Sequence, residues 1–521
     1  MTSNASLPWK SSLVEIALIF AVFFLQGAWP VPDVNEPYYL GKAIHRWNPD
    51  WAPNDFFLDS ADAHQVFYFT FGWLSLWLSP GALAWTGRVL AGGLLAWAWR
   101  RLSVAVVPKP WFSVLSGALF ACLVERFHMS GEWILGGVEA KGFAYVLVLV
   151  GLEAIARNRW NRAWLLLGAA TAFHVLVGGW ACAAAGFAWF WLGRRSPPLR
   201  ATLPGLAGGL LLALVSLVPV LALDWRVEPQ TAGRAHEIYV YHRLPHHLVL
   251  QARDPRFLLR FAGLIVLWAF LCRMLGEHGP ELRVRAFVVG ALGIALLGAA
   301  ISLLAVFHPQ RGADLLRFYW FRLSDVAVPL GVALLAALAV ERLLHVRPGV
   351  GKAWLAVSVA VAALHLGDLA VQRVWAAPPR ADAKVDAAPW QDACAWIAAS
   401  DIPKDACFLT PIGSHTFKWR TGRAEVVNRK EIPQDARGIV AWWTRLRELH
   451  AVEGGVSERE WHDSLSDRGT RRVMELGQKY HADYALVEAE PRLDLKVLKV
   501  LYENEGYVVY RLPHSPRPYE P

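Results

Sequence analysis

Asp33-Val-Asn35-Glu36-Pro-Tyr38-Tyr39-Leu-Gly-Lys42-Ala, residues 33–43, follows directly on an apolar run from Ser12 to Ala28. Asp50, Asp55, Asp59, Asp62 and His64 come next, before the following apolar stretch. Working outward from this segment, the chain reads as membrane spans separated by polar loops. A carboxylate at a span end sits where water meets lipid headgroups, so it stays ionised and can accept a proton.

The 521 residues are 55% hydrophobic and 18% charged, with a mean hydropathy of +0.31. Apolar runs of roughly 17 or more residues recur over the first three quarters, which excludes an ordinary soluble enzyme. The first run follows Lys10 and has no clear small-residue cleavage site, so it reads as a retained span. The formal charge of +9 is concentrated at span ends: Arg100-Arg101, Arg157 with Arg159 and Arg162, Arg194-Arg195, Arg283 with Arg285, and Arg342 with Arg347. This is the positive-inside pattern, and it explains the basic balance better than nucleic-acid binding does.

Spans are expected near 11–30, 82–101, 111–127, 141–157, 163–177, 178–193, 201–222, 257–273, 286–306, 320–342 and 352–372. The expected fold is therefore a polytopic α-helical membrane protein of about eleven transmembrane helices with a C-terminal α/β soluble domain. The domain division falls at 1–375 and 376–521, with a first outer loop at 31–81. With the N-terminus in the cytoplasm, an odd number of crossings puts the C-terminal domain outside it, in a bacterial-type plasma (inner) membrane. The aromatic stretch 65–79 is expected to lie in the interface, because counting it as a span would put Arg100-Arg101 outside. In the polar part, 484–487 and 507–510 read as strands, and 437–450 and 468–480 as helices. Cys122, Cys182 and Cys272 read as core residues. Cys394 and Cys407 fall on the outer side, where a disulfide can form.

Four groups of loop residues invite a functional reading. Asp33, Glu36, Tyr38 and Tyr39 lie in the first loop; interfacial anchoring of the tyrosines and helix capping by Asp33 are the bland alternatives. Asp50, Asp55, Asp59 and Asp62 read as caps, turn residues and solvated faces. Glu139 and Lys141 head an apolar helix, as a substrate-orienting acid with its partner or as a local ion pair. Arg317 and Arg322 bracket an aromatic stretch on the outer side, where a lipid phosphate would suit a guanidinium fork; pairing with Asp314 or Asp325 is the alternative. His242, His246 and His247 suit polar contacts to sugar or phosphate; a solvated loop is the alternative. Adjacent histidines point apart in regular structure, so they are not expected to bind metal. No zinc spacing, phosphate-binding glycine loop, nucleophile elbow or dinucleotide fingerprint appears in a supporting context.

The order of these elements resembles the GT-C superfamily of membrane glycosyltransferases, which use polyprenyl-phosphate-linked sugars. The likeness is carried by one span, then Asp33 and Asn35-Glu36-Pro-Tyr38-Tyr39, then Arg100-Arg101, then Glu139 before a helix, and finally the soluble part at 376–521. In the mannosyl- and aminoarabinosyl-transferase-like members an Asp-Glu pair precedes the tyrosine, and the Asp is the base. Aligned on Tyr39, this chain has Asn35 at that Asp and Glu36 at the Glu. Asparagine cannot take the proton, so the resemblance implies Asp33 or Glu36 as base. It further implies a polyprenyl-phosphate sugar donor within membrane lipid and an acceptor hydroxyl of unknown identity. Arg317, Arg322 or Lys141 would then stabilise the departing phospholipid, with no cofactor and no favoured metal.

Two other classes compete. A transporter or flippase of a lipid-linked substrate would show ionisable or helix-breaking residues at mid-span, whereas the charge here gathers at outer ends. A non-catalytic envelope-assembly scaffold would use 376–521 as a binding module.

Overall fold

The computed structural model describes residues 9–276, 279–375, 378–453, 460–494 and 497–513. Among the described residues, eight helices are long and apolar enough to cross a membrane: Lys10–Gly27, Pro80–Val106, Val175–Arg195, Leu199–Ala222, Pro255–Leu275, Pro280–Phe307, Arg322–Val346 and Pro348–Trp375. The three other expected spans form helices at the expected places, Phe112–Arg126, Ala140–Ala156 and Trp160–Phe173, but with only 15, 17 and 14 residues. At 1.5 Å per residue they run to roughly 21–26 Å, short of a hydrocarbon core of about 30 Å. Length and hydropathy thus qualify eight helices among the described residues as candidate spans, where apolar composition suggested about eleven. Loop geometry sets the shorter lengths: extended residues at Glu139 and His174 bound two of these helices.

Contacts group the chain into two bodies. One holds the chain up to Ala28, Thr86–Leu221, and Arg243 through the last long helix. The other holds Trp29–Trp85, Ala222–His242 and the C-terminal part. In the helical body, Arg322–Val346 is the central element, with 94% of its apolar window buried. Glu15 and Glu153 are buried within helices and are compensated: Arg100 donates to Glu15 at 3.1 Å, while Arg101 and Arg157 donate to Glu153 at 3.2 and 2.6 Å. The arginines that mark orientation therefore also neutralise buried acids, as charge at membrane depth demands. Small residues allow close helix approach. A side chain on Gly168 would run into the backbone of Gly209, and one on Gly209 into the carbonyl of Trp164.

In the second body, a five-stranded sheet runs in the order β2-β1-β3-β5-β4, with β1 Cys407–Leu409, β2 Ala424–Glu425, β3 Tyr484–Glu488, β4 Lys499–Glu503 and β5 Tyr507–Arg511. β1 pairs parallel with β2 and β3, and β5 pairs antiparallel with β3 and β4. Side chains alternate between two cores. Phe408, Leu486 and Val509 pack with the helix Ala387–Ala399, whereas Leu409, Val487 and Val508 pack with Ala436–His450 and Gly469–Tyr480. That alternation removes the disulfide: Cys394 packs with Phe408 on one face, Cys407 packs on the other, and both are free thiols.

The first loop belongs to this second body, and it supplies buried charge there. Lys418 (4% exposed) is within 3.3 Å of Asp55 and 2.9 Å of Glu425, and it also pairs with Glu431. Asp55 further accepts from the backbone N–H of Phe57, Leu58 and Glu425. Asp62 pairs with Lys42 at 2.9 Å. Asp55 and Asp62 are thus charge partners in the interior, a correction to the solvated reading; Asp50 is exposed, and the exposed Asp59 pairs with His45. Burial alone would weaken the Lys418 ammonium, but the three carboxylates outweigh it and hold the charge firmly. Burial pushes Glu431 up to about 8, against the pull of Lys418. The stretch at 65–79 forms only the helix Gln65–Thr70 and the turn Gly72–Leu76, too short to span, with Trp77 71% exposed.

Two outcomes are expected. Gly168→Val should lower the melting temperature of the detergent-solubilised chain, at a cost of about 1–3 kcal/mol from overpacking. The folded state holds the Glu431 proton up to about pH 8, whereas an ordinary glutamate releases it near 4.5, so this group's contribution to stability falls as pH rises across that window. Glu431→Gln should flatten the loss of thermal stability between about pH 5 and 8; an unchanged profile in tryptophan-fluorescence melts would refute the assignment.

Candidate functional site

Two clusters carry the residues singled out by sequence, one in each body. In the first loop, the helix Glu36–Trp47 starts with Pro37 in its first turn, a position that proline's fixed φ favours. Glu36 is fully buried and its Oε2 accepts from the Asp33 N–H at 2.7 Å. Asp33 is 1% exposed. Its two oxygens receive the guanidinium fork of Arg380, Nε to Oδ1 at 2.8 Å and Nη2 to Oδ2 at 2.7 Å, and Oδ1 also accepts from the Val34 N–H. Tyr38 donates its hydroxyl to the Ile432 carbonyl at 3.1 Å and receives the Gln434 amide. Tyr39 packs against Tyr38, His64 and Phe67. His242 stacks on Trp443, with ring centroids 5.0 Å apart.

In the helical body, Asp325 in the first turn of Arg322–Val346 gathers the N–H groups of Met129, Ser130 and Glu132 at 2.7, 2.7 and 3.3 Å. Backbone donors converging on one carboxylate fix a loop as a capping side chain fixes a helix end. The loop so held presents Glu132, buried at 2% exposure, to Arg322 at 2.7 Å and Lys141 at 3.6 Å, and it accepts from the Tyr145 hydroxyl at 3.3 Å. Lys141 also pairs with Glu139 at 3.2 Å and lies 5.9 Å over the Trp133 ring. Arg322 stacks on Tyr319 at 3.8 Å. Arg322 therefore pairs with Glu132, a partner that was not considered from the sequence. Burial pushes Glu132 up, while Arg322 and then Lys141 pull it down. A small open cleft bounded by Trp133–Gly137, Glu139, Lys141 and Gly142 lies beside this cluster.

Ser130 also links the cluster to the third loop, donating to the His247 carbonyl at 2.9 Å. Burial and the neighbouring His246 push the His247 imidazole well down. The His246 and His247 rings lie 4.1 Å apart. They do not point apart, because the four-residue helix Pro245–Leu248 is too brief to impose a regular side-chain fan. Arg317 caps the C-terminal end of Pro309–Leu316, with its guanidinium 4.8 Å over Phe318. The structure thus joins Glu139, Lys141 and Arg322 through Glu132, and separately joins Asp33 and Glu36. Glu132, Asp325 and Arg380 were missed as site members; only an unexplained buried charge in each neighbourhood could have signalled them. Among the described residues, no three His, Cys, Asp or Glu are grouped to hold a metal ion.

Against solved structures, the chain is similar to the arabinofuranosyltransferase AftD from Mycobacteria, at a TM-score of 0.50 and 14% identity over 99% of this chain. Its fold resembles that of the GT-C glycosyltransferases. The chain spans 40% of the length of AftD. It is also similar to ArnT from Cupriavidus metallidurans, solved bound to undecaprenyl phosphate, at 0.45 and 14%, covering 96% of this chain and 97% of that one. An Archaeoglobus fulgidus oligosaccharyltransferase, solved in complex with Zn and sulfate, gives 0.42 and 12%, covering 96% and 74%. A domain of unknown function (DUF6798) matches residues 388–449. No curated protein matches the chain.

Arg322→Met should leave Glu132 buried with one cation fewer and cost about 3–5 kcal/mol. Adding Glu132→Gln should recover most of that loss, as a double-mutant cycle on melting temperature would register. Additive losses would break the proposed pairing.

Proposed function

We propose that this chain is an integral membrane glycosyltransferase that moves a sugar from a polyprenyl-phosphate donor to an acceptor hydroxyl on the outer face of the inner membrane. The observation that carries the reading is the buried first-loop pair Asp33–Glu36, set within a chain whose fold resembles the GT-C enzymes over nearly its whole length. Two interior carboxylates at the head of a short helix support this reading, because buried titratable groups cluster at functional sites.

In this reading Asp33 or Glu36 takes the proton of the acceptor hydroxyl as the oxygen attacks the anomeric carbon, from the face opposite the leaving phosphate. Arg322, Lys141 and Arg317 stabilise the charge that gathers on the departing phospholipid. Arg322 and Lys141 already face Glu132 and Glu139, so the phosphate would compete with those acids for the cations. Tyr38, Tyr39, His242, His246 and His247 are the candidate sugar, acceptor or positioning contacts. The soluble part, from residue 376 on, contributes its own residues to the outer compartment.

The test uses the purified full chain with polyprenyl-phosphate sugars extracted from host membranes, reading release of free polyprenyl phosphate by mass spectrometry. Asp33→Asn or Glu36→Gln should lower the rate by about 100-fold or more, read at a temperature where each variant is still folded, because Asp33→Asn also removes a buried ion pair and lowers the melting temperature. Unchanged release in both single variants and in the double variant would exclude the mechanism.

A further inference from the structure

Arg380 grips the first-loop carboxylate, and we infer that it is a positioning residue that sets the orientation and charge state of Asp33. The inference rests on the reading of Asp33 as a proton acceptor. It assigns part of that site to the C-terminal region, which the sequence set apart as a separate soluble domain.

The geometry is specific. A planar fork meets both oxygens of a carboxylate that is 1% exposed, at 2.8 and 2.7 Å. The guanidinium itself lies 4.3 Å over the Trp29 ring, which fixes its plane. The Asp33 backbone N–H is held by Glu36 and its Oδ1 by the Val34 N–H, so the side chain has little rotational freedom. Arg380 is equally constrained. It follows Pro378-Pro379, whose rings restrict φ, and opens the turn Arg380–Asp382. Asp382 anchors that turn by accepting from the Thr416 hydroxyl, from Gln391 at 3.0 Å and from Arg420.

An exposed ion pair does little beyond local anchoring, but a fork on a buried carboxylate favours its charged form strongly. The group then stays ionised under conditions where burial alone would protonate it. For a proton acceptor this exchanges some basicity for readiness, because nearly every molecule holds the competent form.

The test is dicyclohexylcarbodiimide labelling, which modifies protonated carboxyls in apolar surroundings, applied to the full chain in detergent. Adduct at Asp33 is followed by peptide mass spectrometry from about pH 5 to 9. Arg380→Gln should raise labelling several-fold and move its midpoint up by about 1 pH unit or more. Arg380→Lys, which keeps the charge and loses the fork, should fall between the two. A role in folding alone would lower the melting temperature and leave the profile where the parent has it, and that result overturns the inference. If Arg380→Gln does not fold, Arg380→Lys decides: labelling above the parent supports the inference, and labelling equal to the parent overturns it. Polyprenyl phosphate release by Asp33→Asn tests the underlying reading separately. Full release there, with a shifted profile here, would leave the pairing intact and remove its catalytic purpose.

Discussion

A carboxylate removed from water must find a partner, and this constraint shapes both bodies of the molecule. Asp325 is satisfied by three backbone N–H groups, Glu132 by Arg322 and Lys141, Asp33 by Arg380, and Asp55 by Lys418 with three amides. Each of these acids has at least one partner distant in sequence, so each acts as a topological fastener as well as a neutralised charge. Ion pairs of this kind contribute little net stability against an apolar alternative, yet losing one partner is expensive. Their effect is to make the loops single-valued: the 128–132 segment has one arrangement because one acid collects its donors.

Much of the fold was legible in the sequence. Apolar runs and arginine clusters gave the helix positions, and β-branched and aromatic alternation gave β3 and β5. What sequence could not supply was helix length, because apolar composition continues through residues such as His174 that the backbone uses to break a helix. The disulfide failed for a similar reason. Cys394 and Cys407 share a compartment, but the pleat sends Cys407 to the opposite face from Phe408, the residue Cys394 packs near. In the candidate site, Asp33, Glu36, Glu139, Lys141 and Arg322 were visible because charge beside an apolar run is conspicuous. Glu132 and Arg380 were not, since nothing local separates a buried arginine or glutamate from a solvated one.

The two clusters suit different chemistry. Around Glu132 the acids and bases nearly balance, and the aromatic faces of Trp133 and Tyr319 carry the cations; such a place exchanges one anion for another at modest electrostatic cost. Around Asp33 a carboxylate is held rigidly by a guanidinium that does not give up its proton. Rigid donors and acceptors aimed in advance are the means by which a protein stabilises a transient charge without reorganising at the moment of reaction.

The mixed sheet has one further consequence. Its outermost strands are poor templates: β2 has two residues, and β4 carries Lys499 and Glu503 at its ends with a register shift between Val500 and Tyr502. Short, charged and kinked borders deny an incoming strand a continuous row of hydrogen-bonding groups. Neighbouring copies crowded in the plane of a membrane would therefore not polymerise through this sheet, and the region can stay individually folded at high surface density.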